Sequence, residues 1–231
     1  MDGLHFKNSE KDFSAVMDFK VDGASGNSDT SNIALDTQLS WIEDNYINLA
    51  IVGHKYGKNN NTVSTNKSFV HFRHIHKITT SYDWEIFTQI EQNKFTRLIY
   101  RDLIGAGLRH NAFNSDKHQA FFGAGAYYTK EKIEQTPGLT DDGTDTYFRA
   151  NFYFLSKYKI TPDISLTNAI YYQPRLNRFS DYRALVQSKF DFKMNDNLKL
   201  RLSIDIEHDN EPSQTIEKTD VSYLTGLVFS F

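Results

Sequence analysis

Charged side chains stand at every second position of several runs, and their spacing is the feature of this sequence that could support chemistry. Within residues 198–207, Lys199, Arg201, Asp205 and Glu207 alternate with leucine and isoleucine. Because successive side chains of a strand point to opposite faces, such a run puts its charges on one face and its apolar residues on the other. A sheet closed with the charged face inward would have a polar lumen able to bind or conduct ions.

The same parity, applied to the whole chain, predicts two groups of inward charges. The basic group is Arg101, Arg149, Arg183, Lys189 and Arg201. The acidic group is Asp18, Glu85 and Glu91. We expect opposed basic and acidic walls, whose transverse field would favour a small ionic or zwitterionic solute. The open alternative is that these charges neutralise one another and hold the lumen shut.

Twelve alternating segments bounded by turn residues supply the elements that must position these charges. Their expected limits are 12–24, 30–42, 46–56, 65–77, 84–93, 96–111, 118–132, 146–160, 164–176, 181–194, 198–209 and 221–231. Most reach the ~9–11 residues that a tilted strand needs to cross the hydrocarbon layer. An even number of strands is typical of bacterial single-chain barrels.

The fold class predicted is all-β: a closed antiparallel transmembrane β-barrel of about 12 strands. Aromatic residues make up 14% of the chain, as membrane-interface girdles would require. No run of roughly 18 uncharged apolar residues is present, which excludes a helical membrane protein. A soluble barrel or sandwich would show the same alternation with its apolar face inward. The charges in mid-strand and a last strand without a polar tail favour the membrane barrel.

The connectors predict the orientation and the domain organisation. Short turns alternate with polar loops, for which Lys58–Asn66, Glu134–Asp145 and Glu211–Asp220 are the candidates. Barrels of this kind keep short turns and both termini on the periplasmic side. We expect residues 1–11 to form a short periplasmic extension and residues 12–231 a single barrel in the bacterial outer membrane. The start of the sequence lacks a basic and apolar signal, so we expect such a signal to precede this numbering.

The last strand predicts how the barrel closes. Parity groups Tyr223, Leu227, Phe229 and Phe231 on its outer face, as in the C-terminal insertion signal of outer-membrane barrels. The expected partners are therefore the barrel-assembly machinery, outer-membrane lipids and lipopolysaccharide. We expect this strand to pair with the first one near residues 13–21. Its inward residues carry no charge, which predicts that the seam is the least polar part of the lumen.

Two glycine-rich strands carry a family resemblance. Residues 97–110 run from Arg97 through Gly105, Ala106, Gly107 and Leu108, and residues 120–128 contain Gly123, Ala124 and Gly125. With an early turn at residues 26–30, these segments resemble the salt-induced outer-membrane protein family, number 481 in the domain-of-unknown-function series. The resemblance spans about residues 13–231. It implies a bacterial outer-membrane barrel and assigns no activity and no catalytic residue.

The four glycines also have a physical interpretation. A turn centred near Ser115 would place Gly107 opposite Gly123, and Gly105 opposite Gly125, as a lumen-facing patch. One possibility is a kink that lets a small barrel curve. The other is a notch that receives a bulky inward side chain, a lumenal segment or a ligand. Asp102 conflicts with this strand's parity because it falls among outward residues such as Leu98, and a β-bulge would resolve the conflict.

Several function classes have little support in the sequence. Cysteine is absent, and a net charge of −3 with no basic run gives no reason to expect a nucleic-acid partner. Among the histidines, His74 and His76 share a face but His71 points the other way, so we expect no metal site, and we expect no cofactor. No catalytic constellation is recognisable. A narrow polar pore is thus the leading hypothesis, a plugged barrel acting through its loops is second, and an outer-membrane lipid hydrolase is third.

Overall fold

The computed structural model describes residues 12–24, 30–141 and 143–231, and they form a closed barrel of twelve antiparallel strands. The strands are β1 Asp12–Ala24, β2 Thr30–Ile42, β3 Tyr46–Asn59, β4 Thr62–Lys77, β5 Tyr82–Asn93, β6 Leu98–Asn114, β7 His118–Ile133, β8 Gly143–Lys159, β9 Ile164–Arg175, β10 Arg178–Lys193, β11 Leu198–Asp209 and β12 Thr219–Ser230. The twelve predicted strands are confirmed. The proposed extension, residues 1–11, and most of the early turn, residues 26–29, lie outside the described residues.

Each strand pairs with its neighbours in sequence, and β12 pairs with β1 to close the wall. In this seam Val16 lies opposite Ser230 and Lys20 opposite Gly226, as expected from the sequence. The amide of Phe231 donates to the carbonyl of Ala15 at 2.9 Å, so the ladder continues to the last residue. An open sheet edge would leave backbone N–H and C=O groups unpaired, and closure of the barrel pairs them. In lipid this pairing is required because no water is present to replace it.

The barrel has two unequal ends, which we name after their connectors. The terminal rim carries the beginning of β1 and the end of β12. It also carries short turns, at residues 43–45, 78–81, 115–117, 160–163 and 194–197. Of the described residues, the loop rim carries 60–61, 94–97, 134–141, 176–177 and 210–218, with a 3₁₀ turn at Lys94–Thr96. The predicted alternation therefore holds for the terminal rim, whereas the loop rim mixes tight turns with two long loops.

The expected loop Lys58–Asn66 is wrong, because β3 and β4 run on to a two-residue turn at Asn60 and Asn61. Both asparagines have positive φ, 48° and 61°. Asparagine tolerates this left-handed conformation, and such a turn suits the twist of a hairpin. The polar ends of these strands show no apolar alternation, which is why the sequence pattern indicated a loop.

Strand β6 contains two irregularities, but neither resolves the outward position of Asp102. Its register with β7 shifts between Leu98 and Tyr100, and again between Asn111 and Phe113. The first shift turns Leu98 into the lumen, where it is buried, so the prediction that it faces outward is wrong. Asp102 stays on the outer face, opposite Lys130 of β7 and near the loop rim.

The outer face of the barrel is apolar around its circumference. Exposed large apolar side chains occur on all twelve strands, for example Phe19 on β1, Ile90 on β5, Phe152 on β8 and Leu202 on β11. No helix within the described residues is long and apolar enough to cross a membrane. The four C-terminal residues predicted to face outward, Tyr223, Leu227, Phe229 and Phe231, are all exposed.

Candidate functional site: the charged lumen

The predicted charges lie on the inner side of the wall, where alternation along each strand places them. Arg101, Arg149, Arg183, Lys189, Arg201, Asp18 and Glu91 line one cavity, and Glu85 is buried beside it. The division into two opposed walls is wrong. Arg101 of the supposed basic wall contacts Glu91 of the acidic wall, and Arg201 lies 2.8 Å from Asp18. Charges of opposite sign alternate around the lumen because neighbouring strands carry both.

The loop end of the lumen contains a network of ion pairs to which five strands contribute side chains. Arg101 on β6 contacts Glu91 on β5 and donates to Glu131 on β7 at 2.8 Å. Arg183 on β10 reaches the same carboxylate with both terminal nitrogens, at 2.6 and 2.9 Å, and contacts Asp209 on β11 at 2.8 Å. Strands β8 and β9 lie between β7 and β10, so the Glu131–Arg183 pair crosses part of the lumen.

A second ion pair crosses the lumen at the same end. The ammonium group of Lys67 on β4 lies 2.7 Å from both carboxylate oxygens of Glu207 on β11. Four strands separate β4 from β11 by the shorter way round the barrel. Nearby, Lys55 on β3 donates to the hydroxyl of Ser222 on β12 at 3.0 Å. We call the pairs Glu131–Arg183 and Lys67–Glu207 the cross-lumen bridges.

Arg149 faces the lumen, but hydrogen bonds hold its side chain against the wall. Its side chain donates to a carboxylate oxygen of Asp181 at 2.5 Å and to the backbone carbonyl of Gln173 at 2.9 Å, and only 1% of the residue is exposed. Asp181 lies where the register of β9 and β10 shifts, between Arg178 and Tyr182. A bulge of this kind re-aims side chains, and here the carboxylate reaches the arginine.

The seam is not the least polar part of the lumen, so this expectation is wrong. Its β12 residues Leu224, Gly226 and Val228 are inward and uncharged, as predicted. However, Arg201 reaches past β12 to Asp18, and Lys20 lies 3.0 Å from Asp18 and 2.7 Å from Asp36. A Cβ on Gly226 would lie 2.7 Å from the Lys20 side chain. Gly226 therefore leaves space for the charged side chain of Lys20 on the neighbouring strand β1.

On the side of β4 to β9, packed side chains fill the part of the lumen nearer the terminal rim. Buried apolar residues form its centre: Phe121, Tyr153, Leu155, Ala169 and Tyr171. The Arg73 guanidinium on β4 lies 5.5 Å from the ring centre of Tyr153 on β8 and 3.4 Å from Glu85. Next to it, Arg109 pairs with Asp83 at 2.9 Å and lies over the Phe121 ring. Each buried guanidinium thus has both a carboxylate and an aromatic face.

The glycine patch is a notch for these inward rings. The predicted pairing is wrong by two residues. Gly107 lies opposite Gly125, and Gly123 lies opposite Arg109. A Cβ on Gly123 would lie 2.0 Å from the Tyr153 ring, and one on Gly105 would lie 2.5 Å from the Phe87 ring. Of the two interpretations, the structure supports a notch that receives bulky inward side chains.

The two long loops meet over the loop end of the lumen. The Arg97 guanidinium lies 2.7 Å from Asp141 of one loop and donates to the carbonyl of Gln214 of the other at 3.3 Å. The amide of Gln214 donates to Asp141 at 2.6 Å. Partial burial would raise the pKa of the Asp141 carboxyl, but the hydrogen bonds from Arg97 and Gln214 outweigh this and hold the pKa below its ordinary value. We call this contact the loop clasp.

One continuous cavity of about 1050 Å³ remains between these groups. Near the terminal rim it is lined by residues such as Ser14, Lys199 and Ser230, and near the loop rim by Asp141 and Glu211. Between the rims it follows the side of β10, β11, β12, β1 and β2, opposite the packed residues. Charged side chains thus line the cavity near both rims.

The histidines are divided between the two faces of the wall, as the parity argument predicted. His71 is buried in the lumen against Gln89, whereas His74 and His76 lie beside Trp84, each at 5.3 Å between ring centres. His54 is exposed and contacts Ser68. No group of three metal-ligating side chains occurs within residues 12–24, 30–141 and 143–231.

Three residues that organise the lumen were not singled out from the sequence: Lys67, Glu131 and Asp181. Parity could have placed Glu131 inward, since it shares its face with Gly123 and Gly125. Its importance depends on Arg183, which lies on a strand that is not a neighbour of β7. A bridge between strands that are not neighbours leaves no local signal in the sequence.

Comparisons with known proteins give a family and a shared architecture. A family model described as "Protein of unknown function, DUF481" matches residues 17–231. No curated protein matches the chain. Among solved structures, the COG4313 outer membrane channel from Pseudomonas putida F1 has a TM-score of 0.58 at 8% identity, covering 100% of this chain and 99% of that one.

Two further structures share the architecture. The NanC porin has a TM-score of 0.56 at 11% identity, with 94% and 98% of the two chains covered. The translocator domain of the autotransporter NalP from Neisseria meningitidis has a TM-score of 0.53 at 9% identity, with 98% and 91% covered. At such low identity the likeness concerns the fold, which serves both porins and a translocator domain.

Proposed function

Because the chain belongs to the family described as protein of unknown function, DUF481, we propose a function from the lumen itself: a narrow pathway for small ionic solutes across the bacterial outer membrane. The observation that carries the proposal is the continuous cavity of about 1050 Å³, which is lined by residues near both rims. A barrel filled by side chains along its whole length would have no such path.

The cross-lumen bridges would make this pathway narrow. Lys67–Glu207 and Glu131–Arg183 join strands that are not neighbours, and they lie at the same end of the barrel. A passing solute has to go round these side chains or displace them. Small solutes are therefore the class that fits.

The charge of the lining favours solutes that carry charge themselves. Carboxylates and cationic groups of β1, β10 and β11 face the cavity, as Asp18, Asp191 and Arg201 do. An ion entering such a lumen can exchange its hydration for these groups, as selective pores require. An uncharged apolar solute gains nothing there.

The outer face supports the location and partners included in this proposal. The exposed apolar band suits outer-membrane lipids, and the loop rim would then face lipopolysaccharide, with both termini in the periplasm. The outward row Tyr223, Leu227, Phe229 and Phe231 would be the feature that the barrel-assembly machinery reads. Replacing Phe231 with serine should lower the amount of folded barrel in outer-membrane fractions, whereas replacing the inward Ser230 with alanine should not.

Single-channel recording in planar bilayers tests the proposed pore. Purified protein, shown to be folded by its heat-modifiable migration in detergent gels, should give small, stepwise currents in potassium chloride. Folded protein that inserts but never conducts would refute the pathway.

A plugged barrel that acts through its loops is the second candidate, and the loop clasp is the observation that favours it. Asp141 of one long loop and Gln214 of the other bind each other and share Arg97, so the two loops together present one surface. This candidate predicts no conductance in the wild type or in a variant without the clasp, such as Arg97→Gln. The proposed pore predicts conductance in both.

A further inference from the structure

Three arginines form a row across three adjacent strands at the loop end of the lumen. Arg149 on β8 lies opposite Arg175 on β9, and Arg175 lies opposite Arg178 on β10. All three residues line the cavity. Like charges directly opposite one another destabilise a sheet. The row therefore depends on negative charge close by, and we name it the arginine row.

Among the described residues, one buried carboxylate contacts the whole arginine row. Asp181, at the bulge of β10, accepts from Arg149 at 2.5 Å and from Arg178 at 3.2 Å, and it lies 3.7 Å from Arg175. Arg149 also donates to the backbone carbonyls of Gln173 and Asp181, at 2.9 and 3.1 Å. The buried part of the row is therefore fixed in position, with three guanidinium groups around a single carboxylate.

The other two carboxylates that contact the row are open to water. Asp145 lies 3.0 Å from Arg175, and Glu211 lies 2.5 Å from Arg178. Their side chains are 60% and 36% exposed, whereas that of Asp181 is 6% exposed. An exposed ion pair contributes little to stability, because water solvates the separated partners well. Asp145 and Glu211 can therefore leave the arginines at a small cost in free energy.

A tyrosine ring holds the inner arginines of the row. The guanidinium carbon of Arg175 lies 4.1 Å from the ring centre of Tyr147, and that of Arg149 lies 5.0 Å from it. A guanidinium on an aromatic face keeps its N–H donors at the edge of its plane, where an acceptor can approach them. The ring therefore positions Arg175 without occupying its hydrogen bonds.

We propose that the loop end of the lumen binds the carboxylate group of small organic acids through Arg175 and Arg178. A guanidinium matches a carboxylate with two parallel hydrogen bonds, which makes arginine the side chain suited to this group. The bound carboxylate takes the positions of Asp145 and Glu211, and these two side chains turn into water. Because one ion pair is exchanged for another, the solute can be captured and released with small changes in free energy, as passage through a pore requires.

This inference deepens the proposed pore by naming the chemical class of its solute, and it rests on that proposal only for passage, because binding can be measured whether or not the lumen conducts. The probe is succinate, titrated against the folded barrel in an uncharged detergent without phospholipid, with the line width of the succinate proton resonance as the readout. Replacing Arg175 and Arg178 together with glutamine should weaken succinate binding by about ten-fold or more.

The matched control replaces two exposed lysines of the outer face, Lys130 and Lys132, with glutamine, which changes the net charge equally. Its affinity for succinate should stay within about two-fold of the wild type. Heat-modifiable migration in detergent gels verifies that each variant is folded.

A second variant tests the exchange of carboxylates in the opposite direction. Replacing Asp145 with asparagine and Glu211 with glutamine removes the two competing carboxylates, so succinate binding should strengthen by about three-fold or more. Asparagine in place of the exposed Asp116 and Asp196 changes the net charge equally at the terminal rim, and this control should bind succinate as the wild type does.

Equal binding by the wild type and the double arginine variant would overturn the site, and so would an equal loss in the lysine control. Unchanged or weaker binding without Asp145 and Glu211 would overturn the exchange. Conductance recorded on the same samples separates the two proposals. Succinate binding without conductance refutes the pore and keeps the site, whereas conductance without succinate binding refutes the site and keeps the pore.

Discussion

The two ends of the lumen contain the same kinds of charged side chain but pair them differently. At the loop end, Arg183 and Lys67 pair with carboxylates on strands that are not neighbours. Towards the terminal rim, Arg109 pairs with Asp83, and Arg201 with Asp191, on adjacent strands. A pair between adjacent strands lies along the wall, whereas a pair between distant strands crosses the space inside. Charge therefore narrows a barrel only where its partner comes from across the lumen.

The largest expected effect compares a carboxylate of a cross-lumen bridge with one of an adjacent pair. Replacing Glu131 with glutamine removes a carboxylate from two guanidinium groups at once and leaves Arg101 with only Glu91 and Arg183 with only Asp209. It should therefore cost ~3 kcal/mol or more of unfolding free energy. Replacing Asp191 with asparagine should cost only about 1–2 kcal/mol, because Arg201 keeps Asp18.

Reversible urea unfolding, followed by the fluorescence of Trp41 and Trp84, measures both losses. The exposed Asp196→Asn variant is the control and should change the unfolding free energy by less than about 0.5 kcal/mol. Equal losses at positions 131 and 191 would show that the two ends do not differ.

A smaller effect is expected in the packed region, which is narrowed by rings rather than by bridges. Replacing Gly123 with valine forces atoms into the Tyr153 ring, which lies 2.0 Å from where the new Cβ would stand, and should cost about 1–3 kcal/mol. The outward neighbour Ala124 offers the control, since Ala124→Val adds bulk on the exposed face instead. Urea unfolding that gives the same stability for both variants would contradict the notch.

The smallest effect concerns the loop clasp and pH. Because the folded-state pKa of Asp141 is depressed, its contribution to the clasp is fully present above the ordinary carboxyl pKa and is lost as pH falls through the lower folded value. Hydrogen exchange at the Gln214 amide should therefore stay slow, after correction for intrinsic rates, from neutral pH down to about 4, and accelerate below it. In Asp141→Asn this acid-dependent step should vanish. A step in the wild type near pH ~6, well above the ordinary carboxyl range, would contradict the assignment.

The sequence predicts the strands of this barrel better than the contacts among the side chains inside it. Alternation located the twelve strands because each apolar residue outside is followed by a polar one inside, as in residues 198–207 of β11. It failed where both faces are polar, which is why the extension of β3 and β4 to Asn60 and Asn61 was missed.

The pairing of the inward charges could not be predicted in the same way. Parity placed Arg201 and Asp18 inward but could not show that Arg201 reaches past β12 to Asp18. That contact depends on the small Gly226 and on the stagger between strands, which no single strand encodes. The register of β6 and β7 shows the same limit. Pairing next to their turn begins with Asn114 opposite Gln119, which differs from a turn centred near Ser115, and a bulge near Asn111 then changes the register by one residue.

The single-channel conductance of Lys67→Ala tests the central claim, that a continuous path is narrowed by cross-lumen bridges, most directly. Removing this side chain deletes the bridge to Glu207, so conductance should rise by about two-fold or more over the wild type. Lys58→Ala, which removes an outward lysine near the same rim, should leave conductance unchanged. If the Lys67 variant conducts no better than the wild type and the Lys58 control, the bridge does not narrow the path and the account is contradicted.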